Sequence, residues 1–469
     1  MEGDPTMLGR PTQSNDLIHN SPIDLKYLQS EAISFSLQGD QVKVLFSPEE
    51  FYSAIIEGCQ NAKHRITLAA LYIGMNSMEK KLVEVLDDRL RERGSNLQLT
   101  VLLDAVRDSR DCSARIMLLP LLRKHSHCQV SLFQTPDLHW FWSKICPPKV
   151  NELIGIQHIK LYVFDDNVLI TGANLTKEYF SNRQDRYVLV TDCQPIADFC
   201  CGLVDKICSV SLQLTEENTI LQPSTFPAPG LYRKQARQLV WSFYLEELAK
   251  SDKQLKPGDD TWVFPLLQLP PMSILQDSSV TQTLLQSLSP EVTVHFSSPY
   301  FNLPEEYITL LLNKCKNAFR ILIPHPTAND FYGARGVVGQ IPFFYSAFSN
   351  TFLQQVKSAK QTERFEIEEF VRSESSFHSK GIWCTTSDDD DPFMTIVGSS
   401  NFNCRSVSRD LECQFVMVTS NRGLRKRLAE EKGRLYQHGV PFTQGIACCQ
   451  QYKPGLWHYA FLWLFKSYF

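Results

Sequence analysis

The chain has 469 residues, enough for two lobes with substantial cores. Its hydrophobic fraction of 43% and charged fraction of 21% are those of an ordinary soluble globular enzyme. The formal net charge of −4 gives no global support for nucleic-acid binding, where a basic domain is expected, although a local basic cleft stays open.

Taken in chain order, residues 1–40 read as a flexible N-terminal segment. The start, Met1 to Arg10, has neither an Arg-rich amphipathic presequence pattern nor an apolar signal core. Val42–Phe46 then predicts a strand, and Pro48–Lys63 a helix with Ser47 as its N-cap. Arg65–Ile73 predicts a strand, Met78–Arg93 a charged amphipathic helix, Leu97–Leu103 a strand, Ala114–Lys124 a helix and Cys128–Phe133 a strand. His158–Phe164 and Val168–Thr171 predict a hairpin around Asp165, Asp166 and Asn167. Residues 41–208 therefore form a first lobe.

Residues 209–260 contain Pro223, Pro227, Pro229 and Pro257 and one helical piece, Leu231–Lys250, and read as a linker with a connecting helix. The pattern then restarts over residues 261–445. Val292–Phe296 predicts a strand, Glu305–Lys316 a helix, Phe319–Ile323 a strand, Asn350–Ala359 a helix and Phe365–Phe370 a strand, before a hairpin that carries His378 and Lys380. Matching element order implies duplication and an α/β class: two pseudo-symmetric lobes, each a mixed sheet flanked by helices.

The tail, residues 446–469, is strongly aromatic from Leu456 to Phe469. It is too short to span a bilayer and suits either an interfacial anchor or a terminal helix packed on the body. No stretch reaches the ~18 apolar residues of a membrane span. The 14 cysteines include the adjacent pairs Cys200-Cys201 and Cys448-Cys449 but no repeated Cys-x2-Cys spacing. They read as reduced, buried, small hydrophobes, and no metal is expected.

The chemistry lies in a repeat. His158-x-Lys160 is followed by Asp165, by Gly172-Ala173-Asn174 and by Asp185. His378-x-Lys380 is followed by Gly398-Ser399-Ser400-Asn401, by Arg405-Ser406 and by Glu412. Asp185 lies eleven residues after Asn174, and Glu412 eleven after Asn401. The stretch from His to Asn is seven residues longer in the second copy, where Ser387 to Pro392 predicts a longer hairpin turn.

In a strand, residues two apart share a face, so each His and Lys should point together. Two such pairs brought across a pseudo-two-fold place two imidazoles and two ammonium groups in one cleft, which suits a phosphodiester. Lys160 and Lys380 can stabilise charge on the non-bridging oxygens. One imidazole can attack phosphorus while the other serves as general acid and then base. Asn174 and Asn401 can add neutral donors, and Asp185 and Glu412 can orient the imidazoles. Asp165 either takes part in the site or only shapes its turn, since the second copy has Thr385 there. A metal or other cofactor is not required, because the lysines supply positive charge.

His158, Lys160, Asp165 and Gly172 resemble the HKD signature of the phospholipase D superfamily, His-x-Lys-x4-Asp-x6-Gly, although Asn174 stands one position early. A narrower resemblance, to the eukaryotic mitochondrial phosphatidylglycerophosphate synthases, is carried by several segments. They are Gln157-His158-Ile159-Lys160, Gly172-Ala173-Asn174-Leu175, Asn182-Arg183-Gln184-Asp185-Arg186-Tyr187, Asp260-Thr261-Trp262, Gly333-Ala334-Arg335-Gly336 and Phe377-His378-Ser379-Lys380-Gly381. That resemblance runs from about residue 40 onward. It implies two phospholipase D-like lobes with one active site between them. It also implies transfer of a phosphatidyl group from CDP-diacylglycerol to sn-glycerol 3-phosphate, releasing CMP, on the mitochondrial inner membrane, with no nucleic-acid partner.

By analogy with the superfamily, His158 is the nucleophile and His378 the general acid and base. The acceptor needs a second anion site, for which Arg107, Arg110 and Arg335 are candidates, because ligands of open α/β sheets bind beyond strand C-termini. The competing readings are a hydrolase of the same superfamily, acting on a phospholipid or nucleic acid, and a catalytically dead membrane scaffold.

Overall fold

A computed structural model describes residues 22–136, 154–228 and 230–442, together with Gly455 and His458. In the first lobe, Arg65–Ala69, Gln98–Asp104 and Cys128–Phe133 run parallel, as short helical crossovers require. The hairpin Leu161–Phe164/Asn167–Thr171 continues the sheet antiparallel from Arg65–Ala69, followed by Tyr187–Val190 and Val42–Leu45. Near-continuous apolar runs in these strands match burial on both faces.

The second lobe repeats the order. Val292–Ser297, Ala318–Pro324 and Phe365–Phe370 are parallel. The hairpin Gly381–Thr386/Asp389–Gly398 extends the sheet, then Glu412–Thr419 and Thr261–Leu269. The strands Tyr187–Val190 and Glu412–Thr419 thus hold the same place in the two sheets, with Asp185 just before the first and Glu412 at the start of the second.

Four sequence expectations are corrected. Residues 22–40 are not a loose tail. Asp24 caps a helix, Leu25–Glu31, whose Leu25 and Leu28 are buried, and Phe35–Leu37 forms the edge of the second sheet against Thr261–Leu269. Residues 209–260 are more than a linker. Leu212–Leu214 and Ile220–Leu221 extend the first sheet, and the helix Tyr232–Lys250 buries Ala236, Val240 and Tyr244 in a core shared by both lobes. The second hairpin has a tight turn at Ser387 and Asp388, and the extra residues lengthen its arms. Asp389 and Asp390 tolerate strand backbone there because Arg425 and Lys432 pair with them at 2.8 and 2.6 Å. The helix expected from Asn350 begins at Ile341, with Pro342 in its first turn where a missing N–H costs nothing.

The lobes are clamped by Arg186. Its guanidinium makes two 2.9 Å bonds to Glu431, donates to Ile396 O and Thr395 Oγ1 at 2.8 Å, and lies 3.8 Å from the centre of the Trp383 ring. No helix among the described residues is long and apolar enough to cross a membrane. The aromatic tail from Leu456 to Phe469 lies outside the described residues, except His458, which rests on Phe343 and Phe344.

Candidate active site

The motif residues do not lie within the strands. His158 and Lys160 precede Leu161–Phe164, and His378 and Lys380 lie between Ser376–Phe377 and Gly381–Thr386. Each motif segment instead pairs with the opposite lobe. The His158 backbone N–H donates to Leu411 O at 2.9 Å, and that of His378 to Gln184 O at 2.8 Å. The neighbours of these accepting carbonyls, Glu412 and Asp185, are thereby carried to the imidazoles. The His158 Nδ1 lies 3.0 Å from both Glu412 carboxylate oxygens, and His378 Nδ1 lies 2.6 Å from Asp185 Oδ2. Each acid therefore stands against Nδ1 of the histidine of the other lobe.

Both histidines line one cleft of about 330 Å³. Burial, then Lys160, holds the His158 imidazole well below its ordinary pKa; burial, then Lys380, does the same to His378. Both are therefore neutral in the resting site. Burial pushes Glu412 up to about 7, opposed by Lys160 and by the Ser399 and Ser406 hydroxyls, which donate to it at 2.5 and 2.7 Å. Burial also raises Asp185, opposed chiefly by Lys380.

A carboxylate oxygen accepts, so Nδ1 of each imidazole carries the hydrogen and Nε2 presents a lone pair. His378 Nδ1 lies between two groups, 2.6 Å from Asp185 Oδ2 and 2.7 Å from Lys380 Nζ, and the hydrogen is assigned to Nδ1 on the shorter contact, to the carboxylate. Lys380 Nζ donates to Asp185 Oδ2 at 3.0 Å and lies 3.5 Å from Gly172 O. Gly172 is needed for this approach, because a Cβ would overlap both Lys380 Nζ and the Asp185 carboxylate. Lys160 Nζ donates to His158 O at 2.7 Å. Both ammonium groups are fully buried and are not among the residues lining the cleft. Burial lowers both lysines, with Glu412 opposing at Lys160 and Asp185 at Lys380.

Asn174 and Asn401 line the cleft. Asn174 Oδ1 accepts from Leu71 N at 3.1 Å, while buried Asn401 Oδ1 meets no hydrogen-bond donor among the described residues. Arg107 and Arg110 also line it, on the helix Ala105–Asp111 that Asp104 caps, with the Arg107 guanidinium 4.3 Å from the Tyr72 ring centre.

Two predicted residues stand elsewhere. Asp165 sits at φ 52° in its hairpin turn, and its carboxylate accepts from the backbone N–H groups of Lys63, His64 and Arg65 at 2.8, 2.8 and 3.1 Å. Turn chemistry claims it. Arg335 is exposed in its loop and is not among the cleft residues.

Sequence reasoning missed a charged and aromatic wall. Arg183 pairs with Asp330 at 2.8 Å, and Tyr300 donates to Asp330 at 3.0 Å. Tyr179 OH lies 3.0 Å from His378 Nε2, with Arg183 4.5 Å from its ring centre. Arg405 pairs with Asp410 at 3.1 Å. Arg183 belongs to the Asn182–Tyr187 segment and Arg405 stands beside Ser406, so position next to the acid and its serine was the available signal.

No protein-family model matches the chain. In overall structure it resembles the crystal structure of a phosphatidylserine synthase from Haemophilus influenzae Rd KW20, with a TM-score of 0.69, over 89% of this chain and 92% of that one. At 21% identity that likeness shows the fold, two α/β lobes, each a mixed sheet flanked by helices. The sequence is 37% identical to a mitochondrial CDP-diacylglycerol–glycerol-3-phosphate 3-phosphatidyltransferase of Gallus gallus, over 88% of this chain and 80% of that protein. It is 32% identical to the Saccharomyces cerevisiae (strain ATCC 204508 / S288c) enzyme of that name, over 87% and 84%. A probable enzyme of the same name from Dictyostelium discoideum is 33% identical, over 87% and 74%. With likeness of this extent in three distant organisms, and a cleft built for phosphoryl chemistry, the chain belongs to the family of CDP-diacylglycerol–glycerol-3-phosphate 3-phosphatidyltransferases.

Proposed function

We propose that this enzyme transfers the phosphatidyl group of CDP-diacylglycerol to sn-glycerol 3-phosphate through a phosphohistidine at His158. The observation that carries the assignment is the unequal state of the two reactive nitrogens. His158 Nε2 has no hydrogen-bond partner among the described residues, whereas His378 Nε2 is occupied by Tyr179 OH. A neutral imidazole with an open lone pair is the form that attacks phosphorus.

His158 Nε2 forms a bond to the phosphorus that bears the diacylglycerol, and the diphosphate P–O bond breaks, releasing CMP. The phosphoimidazole gains positive charge, which Glu412 offsets through Nδ1–H. His378 gives a proton to the leaving phosphate oxygen; a bound diphosphate adds negative charge to the cleft and raises its proton affinity for that step. His378 then takes the proton of the acceptor hydroxyl, whose oxygen displaces His158 from phosphorus. Lys160 and Lys380 act from buried positions, where low dielectric strengthens their field. Arg107 and Arg110 hold the phosphate of the acceptor, as bidentate guanidinium groups suit it. The setting is mitochondrial, as in the relatives' names, at the surface of the inner membrane, with the aromatic tail as an anchor. Removing residues 456–469 is expected to reduce liposome binding in a flotation assay.

The test is to incubate the pure protein with CDP-diacylglycerol, with and without glycerol 3-phosphate, and to measure CMP and lipid products. Phosphatidylglycerophosphate that depends on the acceptor supports the transferase; phosphatidate alone would point to the hydrolase. Peptide mapping after rapid alkaline quench is expected to place the phosphatidyl group on His158, and a label on His378 would reverse the two roles.

A further inference from the structure

The reaction passes through an intermediate that water could intercept. Once CMP has left, any hydroxyl activated at His378 Nε2 can take the phosphatidyl group. Water is the most abundant such hydroxyl, so an efficient transferase needs a device that keeps it from that nitrogen.

The structure assigns this role to Tyr179: it is a specificity-determining residue that caps His378 Nε2 against water. This reading rests on His378 as the general base. Burial keeps the Tyr179 phenol protonated, so its O–H is available to donate, and it lies 3.0 Å from the lone pair that must accept the acceptor's proton. The ring meets the imidazole edge-on, with centroids 5.0 Å apart at 80°. Tyr300 packs against the same imidazole at 5.7 Å and 81°, so the base is walled by two phenols. Tyr179 is held in place by Arg183, which is itself paired with Asp330. Among the described residues, His158 carries no such cap.

The cap discriminates because displacement of Tyr179 OH must be offset by binding elsewhere. An acceptor with a phosphate brings binding at a cationic subsite. Water brings none. In hydrolysis the His158 Nε2–P bond breaks, a water oxygen bonds to phosphorus and a water proton passes to His378 Nε2, giving phosphatidate and free His158. Capping Nε2 slows that step while leaving transfer open.

The experiment compares native protein with Tyr179→Phe, which keeps the ring under Arg183 and against His378 but removes the hydroxyl. Each is given CDP-diacylglycerol and a series of glycerol 3-phosphate concentrations, and the ratio of phosphatidate to phosphatidylglycerophosphate is measured. Both products come from one intermediate, so the ratio does not depend on how much of the variant is folded. The expected result is a rise of about 3- to 10-fold in that ratio, the worth of one hydrogen bond, with faster CMP release when no acceptor is present. An unchanged or lower ratio overturns the cap, as does a fall of both products in proportion, which marks Tyr179 as merely structural. If native protein makes no acceptor-dependent lipid, the transferase reading fails first and the cap with it. A phosphatidyl group trapped on His378 would place Tyr179 on the nucleophile and also overturn the proposal.

Discussion

His158 and Glu412 lie 254 residues apart in sequence, yet the His158 Nδ1 stands 3.0 Å from both oxygens of that carboxylate. His378 has the mirror relation to Asp185. Each lobe supplies one imidazole and orients the other lobe's.

Replacing Glu412 by Gln should leave the cleft's shape but remove the charge that sets the His158 tautomer and offsets the phosphoimidazole. A fall in kcat of about 10²–10⁴-fold is expected, the usual scale of acid–base assistance. Steady-state CMP release, with KM little changed, is the check.

The same carboxyl should set the acid limb of the pH profile. Glu412 is pushed up to about 7 by burial, while burial holds His158 well below its ordinary value. On this sign the imidazole is already neutral at neutral pH, and activity rises as Glu412 ionises. We expect kcat to climb through about pH 7, with the apparent value belonging to the coupled His158–Glu412 pair. Glu412→Gln should flatten that limb; a limb that survives would assign it to another group.

Gly172→Ala should reduce activity through Lys380. The new Cβ overlaps Lys380 Nζ and the Asp185 carboxylate, and so disturbs the orientation of His378. Overpacking of this kind costs about 1–3 kcal/mol. Denaturant melts and kcat measured together should both move.

Asp165→Ala should do the opposite of an active-site lesion. It removes the acceptor for three backbone N–H groups and puts Ala at positive φ, costing roughly 1–3 kcal/mol of stability. Folded enzyme should keep its kcat. A loss of more than tenfold at full folding would return Asp165 to the site.

Arg186→Met breaks the clamp between the lobes and leaves Glu431 buried without its cation. A loss of about 3–5 kcal/mol is expected. Arg186→Lys should recover little, because the two-pronged contact and the stacking on Trp383 need a guanidinium. Urea unfolding would read both.

Much of this was legible in the sequence. Short apolar runs between helical patterns placed most strands, and the eleven-residue offset picked out Asp185 and Glu412 because each stands at or just before the start of the corresponding strand, Tyr187–Val190 and Glu412–Thr419. Which acid serves which histidine was not legible, since it arises from Gln157 pairing with Leu411 and Ser376–Phe377 with Arg183–Gln184 across the lobes. Of the two readings left open for Asp165, its contacts fit the turn, because its superfamily position coincides with a turn that demands an Asp for local reasons. The first half of Ile341–Ser358 escaped because Phe343, Phe344, Tyr345 and Ser346 are indifferent helix formers, and packing decides their state. Tyr179 carried no signal, as one aromatic in a five-residue helix looks like core.

The reciprocal pairing has a consequence for the newly made chain. Until residue 412 has emerged and its lobe has docked, His158 lacks the carboxylate that sets its tautomer, and His378 likewise waits for Asp185 to be in place. On the proposed mechanism, a half-built or misassembled molecule therefore reacts far more slowly with an activated lipid. Assembly and ignition are the same event.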